Sequence, residues 1–294
     1  MQKVIIGSRG SDLALWQANH IKGLLEKLGH QVEIKVIVTQ GDAIQHLSFD
    51  KMEGKGFFTK EIENELLDET IDLAVHSHKD LETNPPEGLS IVAVTKREDP
   101  ADLLLINKTA VDDSLEWELK ANSIIGTSSA RRKSLVRTYR EDCELKDLRG
   151  NVPTRINKLR SGDYDAILLA KAGVDRLKLD LSDFHSFVMD PTEFVPAPAQ
   201  GVLGLQIRSN DLRMAEIMSP LNDIIVAQQI GIERKVLNLM EGGCQLPLGV
   251  FCTVDRVVHV SYAKTSNDAA QIFTYSGDDD IDLAQIIAEE LKAL

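Results

Sequence analysis

Short apolar runs alternate with stretches of helical period along most of the chain. Residues 4–7 (VIIG) read as a buried strand. A Ser/Gly turn follows, and apolar positions then recur at helical spacing from about Asp12 to Leu28, where Gly29 can end a helix. The unit returns with QVEIKVIVT as a strand, FFTKEIENELLDE as a helix, and IDLAVHS and LSIVAVT as strands. Such alternation predicts an α/β layer with parallel strands. After KREDPAD it restarts: DLLLI, then SIIGTSS leading into ARRKSLVRTYR, then PTRINKLRSG, and YDAILLA leading into KAGVDRL. A second α/β domain is expected there. FVPAPAQGVLGLQIR is Pro- and Gly-rich before it turns apolar, and reads as a crossing back to the first domain rather than as a strand within one. A helical pattern from about Asp223 to Met240, the strands GVFCTVDRVVHVSYAKT and QIFTYSG, and the amphipathic IDLAQIIAEELKAL make a small third domain. The expected division is residues 1–98 with 198–220, then 99–197, then 221–294.

The length of 294 residues fits two or three such domains, with a composition that is 43% hydrophobic and 27% charged, as in soluble globular proteins. Residues 1–7 lack the length and cleavage site of a signal peptide, and no apolar stretch approaches a membrane span, so a cytoplasmic protein is expected. Three cysteines, Cys143, Cys244 and Cys252, show neither CxxC nor Cys/His ligand spacing, so no disulfide framework and no metal site is expected. The net charge of -13 argues against a nucleic-acid partner. Yet residues 127–176 hold twelve Lys/Arg against seven Asp/Glu, whereas residues 253–294 hold three against eight. A basic patch inside an acidic chain suits a small anionic ligand.

Two turns between strand and helix carry the strongest chemistry: GSRGSD, with Arg9 and Ser11, and GTSSARR, with Thr127, Ser128, Ser129, Arg131 and Arg132. Hydroxyls, backbone N–H groups at a helix start and arginine together suit a carboxylate or phosphate. A plainer alternative stays open for either turn alone: serines capping helices, arginines on solvated faces. Neither turn is a P-loop or a GxGxxG fingerprint. Arg149, Arg155 and Arg176 recur after the next strands, so the ligand is expected to carry several carboxylates. HSHKDL puts Asp80 and Lys79 at another strand end, where an aspartate serves equally well as a turn former. Residues 41–57 lack periodicity and suit a lid that brings Lys55 to the ligand.

SRGSDLALWQA, VTQGD, GKGFFTKEIE, DLAVHSHKD, GTSSARR, LRGNVPTR, YDAILLAKAGVDRL, PAPAQG and LMEGGCQLPLG closely resemble, in order and over essentially the whole chain, the porphobilinogen deaminase (hydroxymethylbilane synthase) family. The resemblance implies two periplasmic-binding-protein-like, doubly wound α/β domains with an interdomain cleft, plus a small α+β C-terminal domain. It implies a cytoplasmic, monomeric transferase that condenses four porphobilinogen molecules head to tail with loss of ammonia, then hydrolyses the growing polypyrrole free as hydroxymethylbilane. Cys244 would hold a dipyrromethane cofactor by a thioether, with Gly242 and Gly243 permitting close approach and unusual dihedrals. Asp80, as the catalytic carboxylate, and Lys79 would be the catalytic residues. Ser77, Lys79, Asp80, Thr127, Ser128, Ser129, Arg131 and Arg132 would bind the cofactor. Arg9, Ser11, Lys55, Arg149, Arg155, Arg176 and Gln200 would bind substrate. Departures from the family pattern are Ile5, where some relatives have arginine, Pro153 after GNV, and Ala199 in place of a glycine. Two competing readings are a non-catalytic two-domain small-anion binding protein and a nucleotide-dependent transferase.

Overall fold

The computed structural model describes residues 3–39, 59–243, 245–277 and 280–294. The expected lid over 41–57, Lys55 within it, and Cys244 lie outside the described residues. In chain order the strands are β1 (Lys3–Ser8), β2 (Gln31–Val36), β3 (Leu73–Ser77), β4 (Leu89–Val94), β5 (Asp102–Asn107), β6 (Ile124–Gly126), β7 (Glu144–Lys146), β8 (Ala166–Ala170), β9 (Phe184–Val188), β10 (Leu203–Arg208), β11 (Leu248–Cys252), β12 (Val257–Tyr262) and β13 (Gln271–Ser276). The helices are α1 (Asp12–Lys27), α2 (Lys60–Leu67), α3 (Ala130–Tyr139), α4 (Val152–Arg160), α5 (Lys171–Leu177), α6 (Leu212–Met218), α7 (Ile224–Leu239) and α8 (Asp280–Ala293). Residues group into two compact units, Met1–Glu98 with Val202–Gln228, and Asp99–Gly201 with Gln229–Leu294.

The first unit is built on a five-stranded sheet ordered β2-β1-β3-β10-β4, with β1 parallel to β2 and β3, and β10 antiparallel to both its neighbours. Alternate residues of its central strands feed opposite faces. Leu73 and Val75 of β3 pack with Ile21 and Leu25 of α1, while Ala74 packs with Ile62 and Leu66 of α2. Helices therefore cover both faces, the doubly wound arrangement. Ile5 is half-buried and lies against the same cluster as α2, so an apolar residue suits its place.

In the second unit the sheet order is β7-β6-β8-β5-β9, with β6 parallel to β7 and β8, and β5 antiparallel to β8 and β9. Leu104 and Ile106 of β5 face α3, and Leu103 and Leu105 face α4 and α5. A second, antiparallel sheet β11-β12-β13 shares this unit and is covered by α7 and α8 through Val236, Val250, Val260 and Ile287.

Two sequence expectations are corrected. The strands are not all parallel, because each five-stranded sheet takes one antiparallel strand in its fourth position. The segment ending in LGLQIR is not merely a crossing: residues 203–208 form β10, which pairs on both sides. Pro196 and Pro198 in the lead-in hide it, since they are confined to the turn that precedes the strand.

Local chemistry sets the element ends that carry the candidate site. Ser11 caps α1 by accepting Ala14 N–H, and Gly29 at φ 89° ends it. Ser129 caps α3 and Asn151 caps α4. Pro153 falls in the first turn of α4, where its missing N–H has no intrahelical partner to lose. Helix α7 ends with Glu241 in the left-handed region at φ 52°, and Gly242 N–H closes on Leu237 O at 3.0 Å. A Cβ on Gly242 would lie 2.6 Å from Leu246 Cδ2, so close approach is required there, while the left-handed residue is the glutamate before it.

Candidate active site

In the first unit the polar groups emerge where neighbouring parallel strands end. Arg9 and Ser11 follow β1, and Ser77, Lys79 and Asp80 close β3. Ser77 Oγ accepts a hydrogen bond from Gln17 Nε2 at 2.8 Å, which ties the end of β3 to α1. His78 N–H donates to Val202 O at 2.9 Å, and residues 78–80 then make one 3₁₀ turn. The turn leaves Asp80 exposed and Lys79 half-exposed. His76, within β3, is buried and bonds Gln206 Oε1 at 2.9 Å, a structural role. Burial pulls its pKa down from 6.5 to about 4, only partly offset by Gln206.

The second unit repeats this placement with more arginines. Strands β7, β6 and β8 are adjacent and parallel, and the arginine-bearing segments follow their carboxyl ends: Arg149 and Arg155 after β7, Arg131 and Arg132 after β6, Arg176 after β8. Because β5 runs antiparallel, its first residue, Asp102, pairs with Ala170 and reaches the same edge.

Asp102 has no exposed surface, and Arg131 and Arg132 keep only 5% each. Arg131 Nη1 lies 2.8 Å from Asp102 Oδ2, and Arg132 Nη2 lies 2.7 Å from Oδ1. Arg131 also donates to Val195 O at 2.8 Å, and Arg132 to Leu168 O at 3.0 Å. Burial raises the Asp102 carboxyl pKa, but the two guanidiniums outweigh it and hold the group well below the usual carboxylate range. Burial also pulls the Arg131 guanidinium down despite Asp102. Two cations against one anion leave a net positive charge in a desolvated place, which favours a further anion. Arg132 Nε is a buried donor with no hydrogen bond among the described residues.

The structure separates the remaining candidates by what they touch. Arg176 is buried and donates to Gly201 O at 2.7 Å. Arg155 Nε donates to Gly150 O at 2.7 Å, and Arg149 is half-buried. Thr127 is buried, and its Oγ1 accepts Ser129 N–H. Ser128 Oγ donates to Leu148 O and accepts Leu148 N–H, both at 3.0 Å, which fastens the β6 turn to the β7 turn. Gln200 is buried and donates from Nε2 to Pro100 O and to Asp102 Oδ1, each at 2.8 Å. The capping alternative thus describes Ser11 and Ser129, whereas a solvated face does not describe Arg131, Arg132 or Arg176. Sequence reasoning missed Asp102. Its signal was an acid heading the apolar run DLLLI, where a charge needs a partner. Among the described residues, no group of three or more His, Cys, Asp or Glu is placed to hold a metal ion. No described helix is long and apolar enough to cross a membrane.

The family described as "Porphobilinogen deaminase, dipyromethane cofactor binding domain" matches residues 4–216. The chain is 45% identical over 256 residues to the porphobilinogen deaminase of Sulfurimonas denitrificans, covering 86% of this chain and 80% of that one. It is 42% identical to that of Maridesulfovibrio salexigens, covering 100% of this chain and 96% of the relative. With that of Clostridium novyi it shares 39% identity over 99% of this chain and 98% of the relative. Among solved structures, a Salmonella typhimurium periplasmic binding protein with high arginine specificity is similar at a TM-score of 0.43 and 9% identity, covering 77% of this chain and 94% of that one.

Proposed function

The chain belongs to the porphobilinogen deaminase family, and from that premise we propose how its own residues carry the reaction. The enzyme is a transferase of porphyrin and heme biosynthesis that joins four porphobilinogen molecules with release of ammonia, on a dipyrromethane cofactor, and yields hydroxymethylbilane. The residues at the second unit's edge fit such a carboxylate-bearing group: a net positive buried cluster and an unfilled donor at Arg132 Nε favour one. When bound, the cofactor supplies the pyrrole carbon from which the chain is extended.

Cys244 is the proposed thioether anchor. Thr127, Ser128, Ser129, Arg131 and Arg132 hold cofactor carboxylates, and Arg9, Ser11, Lys55, Arg149, Arg155, Arg176 and Gln200 serve the substrate and the growing chain. Charge-assisted bonds of this kind contribute about 1.5–3 kcal/mol each. Asp80 stabilises the positive charge that develops on porphobilinogen as its amine leaves, and accepts pyrrole N–H groups; Ser77 and Lys79 flank it. One charge pair at about 4 Å and an effective dielectric near 20 is worth roughly 4 kcal/mol before desolvation. Exposure at the end of a strand suits that role, since the carboxylate must reach successive rings. The proposed division of labour follows residues 1–98 with 198–220, 99–197, and 221–294, in a cytoplasmic monomer.

The single observation that carries the reading is the Arg131–Asp102–Arg132 cluster, two guanidiniums on one buried carboxylate. Porphobilinogen consumption with stoichiometric ammonia release, without added nucleotide or metal, tests the activity. Intact mass should exceed the chain by two pyrrole units, mapped by digestion to the Cys244 peptide. A fully active protein of unmodified mass would remove the anchor, and porphobilinogen bound but never consumed would favour a non-catalytic anion binder.

A further inference from the structure

Glu233 lies on α7 and has no exposed surface. One oxygen accepts Ala199 N–H at 2.7 Å, and the other accepts Cys252 N–H at 2.9 Å. The turn it grips is unusual: Ala199 has φ 62° and Gly201 has φ 89°. The first is a left-handed conformation that costs any residue with a Cβ. A charge-assisted bond to the Ala199 N–H holds the chain there.

This turn reaches all three buried arginines of the second unit's edge. Gln200 Nε2 donates to Asp102 Oδ1, and Asp102 pairs with Arg131 and Arg132. Gly201 O accepts from Arg176. We propose that Glu233 is a positioning residue: through the 199–201 turn it fixes Arg131, Arg132 and Arg176 for the ligand carboxylates. The proposal rests on the carboxylate-binding reading above. A purely structural Glu233 would only pin α7 to the end of β11.

Glu233→Gln keeps the size of the side chain but turns an NH₂ group toward one of the two N–H donors. In the full-length protein it is expected to raise KM for porphobilinogen about tenfold while kcat changes by less than about twofold. Phenylglyoxal, followed by peptide mass mapping, is expected to modify Arg131, Arg132 and Arg176 faster than in the parent protein. Adding Ala199→Gly should bring both readouts back, because glycine holds a positive φ unaided. Unchanged KM and labelling in a protein that has merely lost thermal stability, or no recovery with Ala199→Gly, would overturn the proposal. Should Glu233→Gln not fold, Glu233→Asp, which keeps the charge but is too short for both donors, is judged by the same two readouts. The labelling needs no turnover, so a chain inactive toward porphobilinogen would refute the proposed function and leave this test readable.

Discussion

The two five-stranded sheets share one strand order and put their polar residues at the same ends of the same strands, yet the edges are built in opposite ways. In the first unit the central group is one exposed carboxylate, Asp80, on a single 3₁₀ turn. In the second it is a pair of buried guanidiniums locked to Asp102, with backbone carbonyls taking further donors. An exposed acid can be lost without harm to the fold. A buried ion cluster cannot, because removing one charge strands the others in a medium that solvates them poorly. Under the proposed function, the first edge carries the chemistry and the second the preorganised binding.

The largest effect is expected from Asp102→Asn, which leaves two buried cations facing no anion and should cost about 3–5 kcal/mol of stability. Urea unfolding reads the loss, and KM for porphobilinogen should rise with it. A variant as stable as the parent would mean that the cluster is solvated and the contrast false. Asp80→Asn should do the reverse: kcat falls by about 10²–10³-fold, while the melting temperature hardly moves. Turnover within a factor of about ten of the parent would take Asp80 out of the chemistry.

Acid separates the units next. His76 is neutral in the fold, with its pKa lowered to about 4 from 6.5, so it takes up a proton on unfolding between those values. Its contribution is whole above about pH 6.5 and is lost as pH falls toward 4, by about 3 kcal/mol. Asp102, shifted downward, keeps its contribution until the pH drops below its ordinary 3.8. Hydrogen exchange at pH 4.5 should therefore show β3 and β10 opening before β5 and β8, and His76→Gln should flatten that pH dependence. An opening pattern at pH 4.5 unchanged from that at pH 7 would contradict it. The smallest effect is Ala199→Gly, which relieves the left-handed alanine and should add about 0.5–1 kcal/mol by thermal melting.

Periodicity made most of the fold legible. The runs VIIG, IDLAVHS, DLLLI and YDAILLA are each bounded by turn residues, and the structure places strands on all four. Strands β7 and β9 escaped because ELK and FHSFV are short and half-polar. The antiparallel seats of β5 and β10 are set by pairings between distant segments, which no local pattern encodes. At the site, the recurrence of arginine after successive strands was readable, but its electrostatic state was not. Arg132 and Asp102 meet across 30 residues of chain, and Glu233 reaches Ala199 across 34. For Asp102 the available clue was an acid heading an apolar run, whereas Glu233, followed by Arg234 and Lys235, offered none.

The division between the edges is tested most directly by rapid-quench measurement on Asp80→Asn, scoring porphobilinogen bound and ammonia released in the same samples. The account predicts binding within about twofold of the parent, with ammonia release slowed by at least about a hundredfold. Ammonia released at the parental rate, or binding lost along with release, would contradict it.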